Sequence, residues 1–363
     1  MEASEHVIQS AAWNLGSADV FAVARAGIVQ RPQCGRPAAL RLGAITVKTV
    51  KAAPQSGAAE DAFAPFGWQG ITVRVPADWT LGAIGGDYKQ GYARLDDPSM
   101  PRLEVKWSDQ NVNLDRALDK YLAKLGKGRR GRKVQIDDKV RILSRRSKPH
   151  KKLRGFSWSG RERAEGVIWR CDTCKRTVIA QVILAPGERD RALARDILSS
   201  LEDHGRDGLI TWALYGLQFD APDHLRLERQ KLMAGYLELA FAAGRRKLRV
   251  CRWGMADVAL ADRDLQHWYE VDQVRRRDVV WDCEPEDVKG HDGLVVDGHR
   301  RRFGHRPRRV VERLMRLRIA SDFDGRVWHC PESNRIYAVE SVHHEDLQSV
   351  LDVVESVPCH GSP

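Results

Sequence analysis

No stretch of this 363-residue chain approaches the ~18 consecutive apolar residues that a membrane-crossing helix needs. The opening stretch, "MEASEHVIQSAAWNLGSADVFAVARAG", lacks a basic segment followed by an apolar core and is poor in Arg. Neither a secretory signal nor a transit peptide is therefore expected, and the cytoplasm is the expected location. Familiar catalytic signatures are missing too. There is no G-x-x-x-x-G-K-[ST], no G-x-G-x-x-G behind a strand, no H-E-x-x-H and no G-x-S-x-G. Cysteine is sparse and odd in number, at 7, which argues against a secreted disulfide framework and for reduced thiols.

What the chain does have is positive charge, +11 in all. Most of it is local. The run from Lys124 to Arg154 holds 14 Lys or Arg against two Asp, and a second basic group spans residues 274–318. Such clusters favour an acidic partner. The residues best placed to meet one are Lys127, Arg129, Arg130, Arg132, Lys133, Arg145, Arg146, Lys148, Lys151 and Lys152 in the first run. In the second they are Arg300, Arg301, Arg302, Arg308 and Arg309. A solvated basic loop is the plainer alternative.

The chain also repeats itself. "GITVRVPADWTL" (70–81) matches "GLQFDAPDHLRL" (216–227), with Pro76 opposite Pro222. Gly91-Tyr92 and the strand to Trp107 match Gly235-Tyr236 and the strand to Trp253. "NLDRALDKYLAKL" and "ALADRDLQHWYEV" both read as amphipathic helices. Trp169 and Cys171 match Trp328 and Cys330, and each is followed by an alternating strand and a closing helix. These matches predict an α+β protein of two homologous domains from an internal duplication, each a mostly antiparallel sheet with flanking helices. The boundaries are a partly ordered arm at 1–65, a first repeat at 66–207 with basic connector 124–154, and a second at 208–363 with connector 274–318. Tryptophans that recur at matched positions inside apolar strands read as core rather than as a base-stacking surface.

The Cys-x-x-Cys of "GVIWRCDTCKR" (166–176) suggests zinc, but the second copy keeps only Cys330, with Ser333 opposite Cys174. A turn with a packed cysteine is the simpler reading. If a local twofold axis brought the two hairpins together, Cys171, Cys174, His329 and Cys330 would make a four-ligand zinc set. No other cofactor is indicated, and redox use lacks the helix N-terminus that stabilises a thiolate.

The strand ending in Pro-x-x-Trp (Val73 to Leu81), the Gly-Tyr strand (Gly91 to Trp107) and the final strand and helix (Thr177 to His204), with their second-repeat equivalents, resemble the Mog1/PsbP-like α/β/α sandwich. The resemblance covers about residues 67–204 and 212–360. It implies non-catalytic binding, to a GTPase, a photosystem surface or a secreted effector. The sequence thus predicts a non-enzymatic cytoplasmic binding or scaffold protein that docks on an acidic protein or assembly. The alternative is a nucleic-acid binder that meets phosphates through its basic connectors.

Overall fold

Strands form here because apolar residues alternate. Residues 71–76 bury Ile71, Val73 and Val75 and turn Arg74 outward. The computed structural model describes residues 63–126, 134–143, 148, 151–160, 162–185, 187–188, 191–273, 279–300, 323–342 and 347–360. All belong to the unit Ala62–Pro363.

The first repeat runs β1 (Phe63–Trp68), β2 (Ile71–Pro76), β3 (Thr80–Gly86), β4 (Gln90–Asp96), β5 (Pro101–Ser108), α1 (Leu114–Gly126), β6 (Gln135–Asp137), β7 (Lys151–Ser159), β8 (Arg163–Cys171), β9 (Thr177–Leu184) and α2 (Ala192–Ser200). The second runs β10 (Leu209–Leu214), β11 (Leu217–Pro222), β12 (Arg226–Met233), β13 (Tyr236–Ala243), β14 (Arg246–Gly254), α3 (Ala256–Leu260), α4 (Leu265–Trp268), a π turn (Tyr269–Gln273), β15 (Val279–Val288), β16 (His291–Arg300), β17 (Phe323–Cys330), β18 (Arg335–Val342) and α5 (Leu347–Ser356).

Two seven-stranded antiparallel sheets have one strand order used twice: β3-β4-β5-β9-β8-β7-β6 and β12-β13-β14-β18-β17-β16-β15. The hairpins that open the two repeats join in a four-stranded sheet, β11-β10-β1-β2. At its centre Gly67 pairs with Ala213. These are equivalent positions of the two opening hairpins, so a local twofold axis passes through this pair. Both hairpins turn through two left-handed residues, Gln69-Gly70 (φ 53°, 81°) and Tyr215-Gly216 (φ 49°, 72°), as a tight type I′ connection requires. An aromatic chain crosses the junction. Trp68 meets Trp212 edge-on at 5.2 Å, and Trp212 meets Phe241 of the second large sheet at 4.9 Å. One hydrophobic cluster consequently includes Val105 and Trp169 of the first repeat with Phe241 and Val353 of the second.

The α+β expectation is corrected. Among the described residues the protein is mostly β, 55% strand against 18% helix, in three antiparallel sheets. Both basic connectors carry strands: β7 begins inside the first, and β15 and β16 lie in the second. The helix expected over 259–271 is broken, because Ala261 and Asp262 take left-handed backbone (φ 46°, 66°) between α3 and α4.

Candidate metal centre

Three chain segments of the second repeat end at one point. A left-handed turn, Lys289-Gly290 (φ 58°, 78°), delivers His291 as the first residue of β16. Cys330 is the last residue of β17. Cys359 and His360 are the third and fourth residues beyond α5. Helix α5 is fixed by its apolar face, burying Val350, Val353 and Val354. Its C-terminal carbonyls are gathered by Lys289 Nζ, which donates to the oxygens of Val354 (3.2 Å), Glu355 (2.7 Å) and Val357 (2.8 Å). A cation at a helix C-terminus is favoured by both the orphan carbonyls and the dipole.

The ligand atoms of His291, Cys330, Cys359 and His360 all lie within 4.8 Å of one another. His291 Nε2 is 3.2 Å from Cys359 Sγ. His360 Nδ1 is 3.4 Å from Cys330 Sγ and 3.3 Å from Cys359 Sγ. Tetrahedral zinc with Zn–S of about 2.3 Å and Zn–N of about 2.0 Å spaces sulfur and nitrogen about 3.5 Å apart. His291 and both cysteines are buried, and His360 closes the set from the solvent side. Around the ligands, Trp328 stacks on Tyr337 at 5.3 Å, and the Tyr337 hydroxyl donates to the Cys359 carbonyl at 3.4 Å. Trp328 is fully buried and its indole N–H has no ordinary hydrogen-bond acceptor. It faces the Cys359 sulfur and favours the thiolate there. Burial, followed by the adjacent Cys330, nonetheless raises the Cys359 thiol above its ordinary value. Glu332 lies beside the cluster, with Oε2 3.3 Å from Cys330 Sγ and 3.8 Å from His291 Nδ1. Its distance from His291 is within charge range but beyond that of a hydrogen bond.

The set named from the sequence is not assembled. The twofold axis joins β1 to β10, not the two cysteine hairpins. Only Cys330 belongs to this centre. Cys171 lies in the first sheet beside Asp203 and His204. The Cys174 thiol is pushed up to about 12 by burial and then by the charge of Asp203, which disfavours a redox thiolate. His329 is half-buried and alternates with Trp328 and Cys330 along β17. Sequence reasoning missed His291, Cys359 and His360 because it looked for paired cysteines, whereas the four ligands come one from a turn, one from a strand end and two from a tail. The signal of the last two was positional: Cys359-His360 follows the closing helix where Asp203-His204 follows its counterpart.

Of the basic residues named from the sequence, Lys127, Arg129, Arg130, Arg132, Lys133, Arg145, Arg146, Arg301, Arg302, Arg308 and Arg309 lie outside the described residues. Arg300 ends β16, where its backbone pairs with Val279. Lys152 is exposed. Lys148 and Lys151 are corrected: they are only 4% and 8% exposed, and each grips Glu202, at 2.5 and 2.6 Å. Charged heads held this way inside the protein do not serve an external partner.

No protein-family model matches the chain, and no curated protein does. Among solved structures it is similar to the apo immunity protein TplEi of the T6SS from Pseudomonas aeruginosa. Identity is 10%, over 81% of this chain and 94% of that one, with a TM-score of 0.27. A likeness of that size carries no argument. Among the described residues no helix is long and apolar enough to cross a membrane.

Proposed function

We propose that the protein is a non-enzymatic binding scaffold whose C-terminal tail is locked to its second large sheet by one structural zinc ion. The ligands are His291, Cys330, Cys359 and His360. The observation that carries this reading is the closure of the set: four protein donors within 4.8 Å of one another, three of their S···N pairs at 3.2 to 3.4 Å, would fill a tetrahedral shell and leave no coordination position for water or substrate. Two thiolates and two imidazoles suit zinc among the divalent ions. The described cysteines are free, which suits the reducing cytoplasm. The docking surface is the basic charge of residues 124–154 and 274–318, apart from Lys148 and Lys151, and the partner is an acidic protein.

Metal analysis of protein purified without chelator is expected to give one zinc per chain, and cobalt substitution a tetrahedral thiolate spectrum. Cys359→Ser is expected to lose both and to lower the melting temperature. Zinc-free protein that melts identically to zinc-loaded protein would remove the structural role. The docking half of the reading is checked by pull-down from the native host, where one acidic protein is expected in stoichiometric amount. Tight, salt-sensitive binding to generic RNA or DNA instead would reassign the connectors to phosphate tracking.

A further inference from the structure

The first repeat contains the same site in altered form. Lys151 is the first residue of β7 and pairs with Cys171, the last residue of β8. In the second repeat His291 is the first residue of β16. The register Gly293↔Trp328, extended by two, sets it opposite Cys330 at the end of β17. Asp203 and His204 are the third and fourth residues beyond α2, as Cys359 and His360 are beyond α5. The Trp169 indole donates to Asp203 Oδ2 at 2.7 Å, where the Trp328 indole faces the Cys359 sulfur. Position by position, therefore, His291 corresponds to Lys151, Cys330 to Cys171, Cys359 to Asp203 and His360 to His204. A lysine at a nearby though not identical position, three residues before Lys151 and two before His291, does the same work in each repeat. Lys148 Nζ donates to the Leu201 carbonyl at 2.9 Å, as Lys289 does to its counterpart Val357.

Cys171, Asp203 and His204 still lie within ligand distance of one another. What differs is the fourth member. The Lys151 ammonium, with its side chain 4% exposed, is 3.3 Å from Asp203 Oδ1 and 2.6 Å from Glu202 Oε2. It also lies 4.8 Å from the centre of the Trp169 ring. We propose that Lys151 is a built-in cation that stands where the second repeat takes its metal ion. It neutralises Asp203, ties the tail after α2 to the start of β7, and bars a divalent cation from Cys171, Asp203 and His204. The physical ground is simple. A buried carboxylate needs one positive partner, and a dication brought into the same space would meet a fixed ammonium at low effective dielectric. The two repeats thus solve one problem, pinning the segment beyond the closing helix, with an ammonium in one and a metal in the other. The inference takes the meaning of the site from the zinc reading above, but its test does not depend on it.

The test uses the full chain with zinc and then cobalt as probes, counting metal per chain under reducing conditions. Wild type is expected to bind one equivalent. Cys359→Ser with His360→Ala is expected to bind none. Adding Lys151→His and Asp203→Cys to that pair is expected to restore one equivalent, with a thiolate-to-cobalt charge-transfer band lost on Cys171→Ser. The proposal is overturned if wild type binds two equivalents, or if Cys359→Ser with His360→Ala retains one that Cys171→Ser removes. It is also overturned if the four-residue variant keeps the wild-type circular dichroism and binds none. Should that variant fail to fold, the first two measurements still decide. If wild type binds no metal while the four-residue variant binds one, the zinc reading falls with the comparison to the second repeat, and what stands is that Lys151 and Asp203 keep a divalent cation out of the first-repeat site.

Discussion

Cys359 sets the proton chemistry of the proposed centre. Burial, and after it the nearby Cys330, holds its thiol above the ordinary value, which is about 8.5. In the metal-free protein the thiol is therefore protonated at neutral pH, and zinc must displace that proton to bind. The sign follows: apparent zinc affinity rises with pH until the raised thiol value is passed, and falls as pH drops. The expected slope is at least about one log unit of affinity per pH unit between pH 6 and 8, with proton release seen calorimetrically in buffers of different ionisation heat. A pH-independent affinity would mean that Cys359 is not a ligand. At this scale little of the site was legible in advance. Cys330 stood out because it recurs opposite Cys171. His291 gave no signal, since it becomes a neighbour of Cys330 only through the register of β16 on β17. The lysines at 148 and 151 misled in the other direction. A Lys-rich run looks solvated in sequence, but the partner that takes these two inside, Glu202, is more than 50 residues away.

Among the elements, the strands of the repeat cores were legible and the connectors were not. β2 and β11 announce themselves by alternation and by Pro76 and Pro222 at their ends. β7 opens "KKLRG", with almost no local apolar signal, and owes its strand state to nine paired positions with β8. The pairing makes the strand, so counting helices and loops from local pattern undercounted β structure. The same dependence on distant partners governs α5, whose last turn is held by Lys289. Lys289→Met leaves three backbone carbonyls without this partner. It is expected to cost about 1–3 kcal/mol in chemical denaturation. Because Cys359 and His360 follow that turn directly, zinc affinity should fall as well. The equivalent change Lys148→Met should destabilise the first repeat and leave zinc affinity untouched. Equal effects of the two substitutions on zinc binding would break the link between the helix cap and the metal.

For the whole molecule, the duplication matters less as two domains side by side than as two halves sharing a core. The chain boundary near residue 207 falls between the repeats, yet β1 and β10 pair across it. Tyr215 of the second repeat donates to the Leu81 carbonyl of the first at 3.0 Å. Arg226 of the second stacks on Tyr88 of the first at 4.1 Å. A shared sheet and a continuous aromatic contact should make the halves unfold together. Gly67 is the position where this can be tested with one atom group. A Cβ there would lie 2.6 Å from the Thr211 carbonyl oxygen and 2.9 Å from the Ala213 nitrogen. Those are backbone atoms of the facing strand, unable to rotate away, so a side chain must push β1 off β10. Gly67→Val is accordingly expected to cost several kcal/mol, of the order of a severe overpacking substitution. It should also replace one calorimetric transition by two, the later one moving with added zinc. Ala213→Val, at the twofold-related position, offers the contrast, since that residue already carries a Cβ at the junction. A single, unshifted transition in Gly67→Val would mean that the four-stranded sheet does not couple the halves and that each repeat stands by its own seven strands.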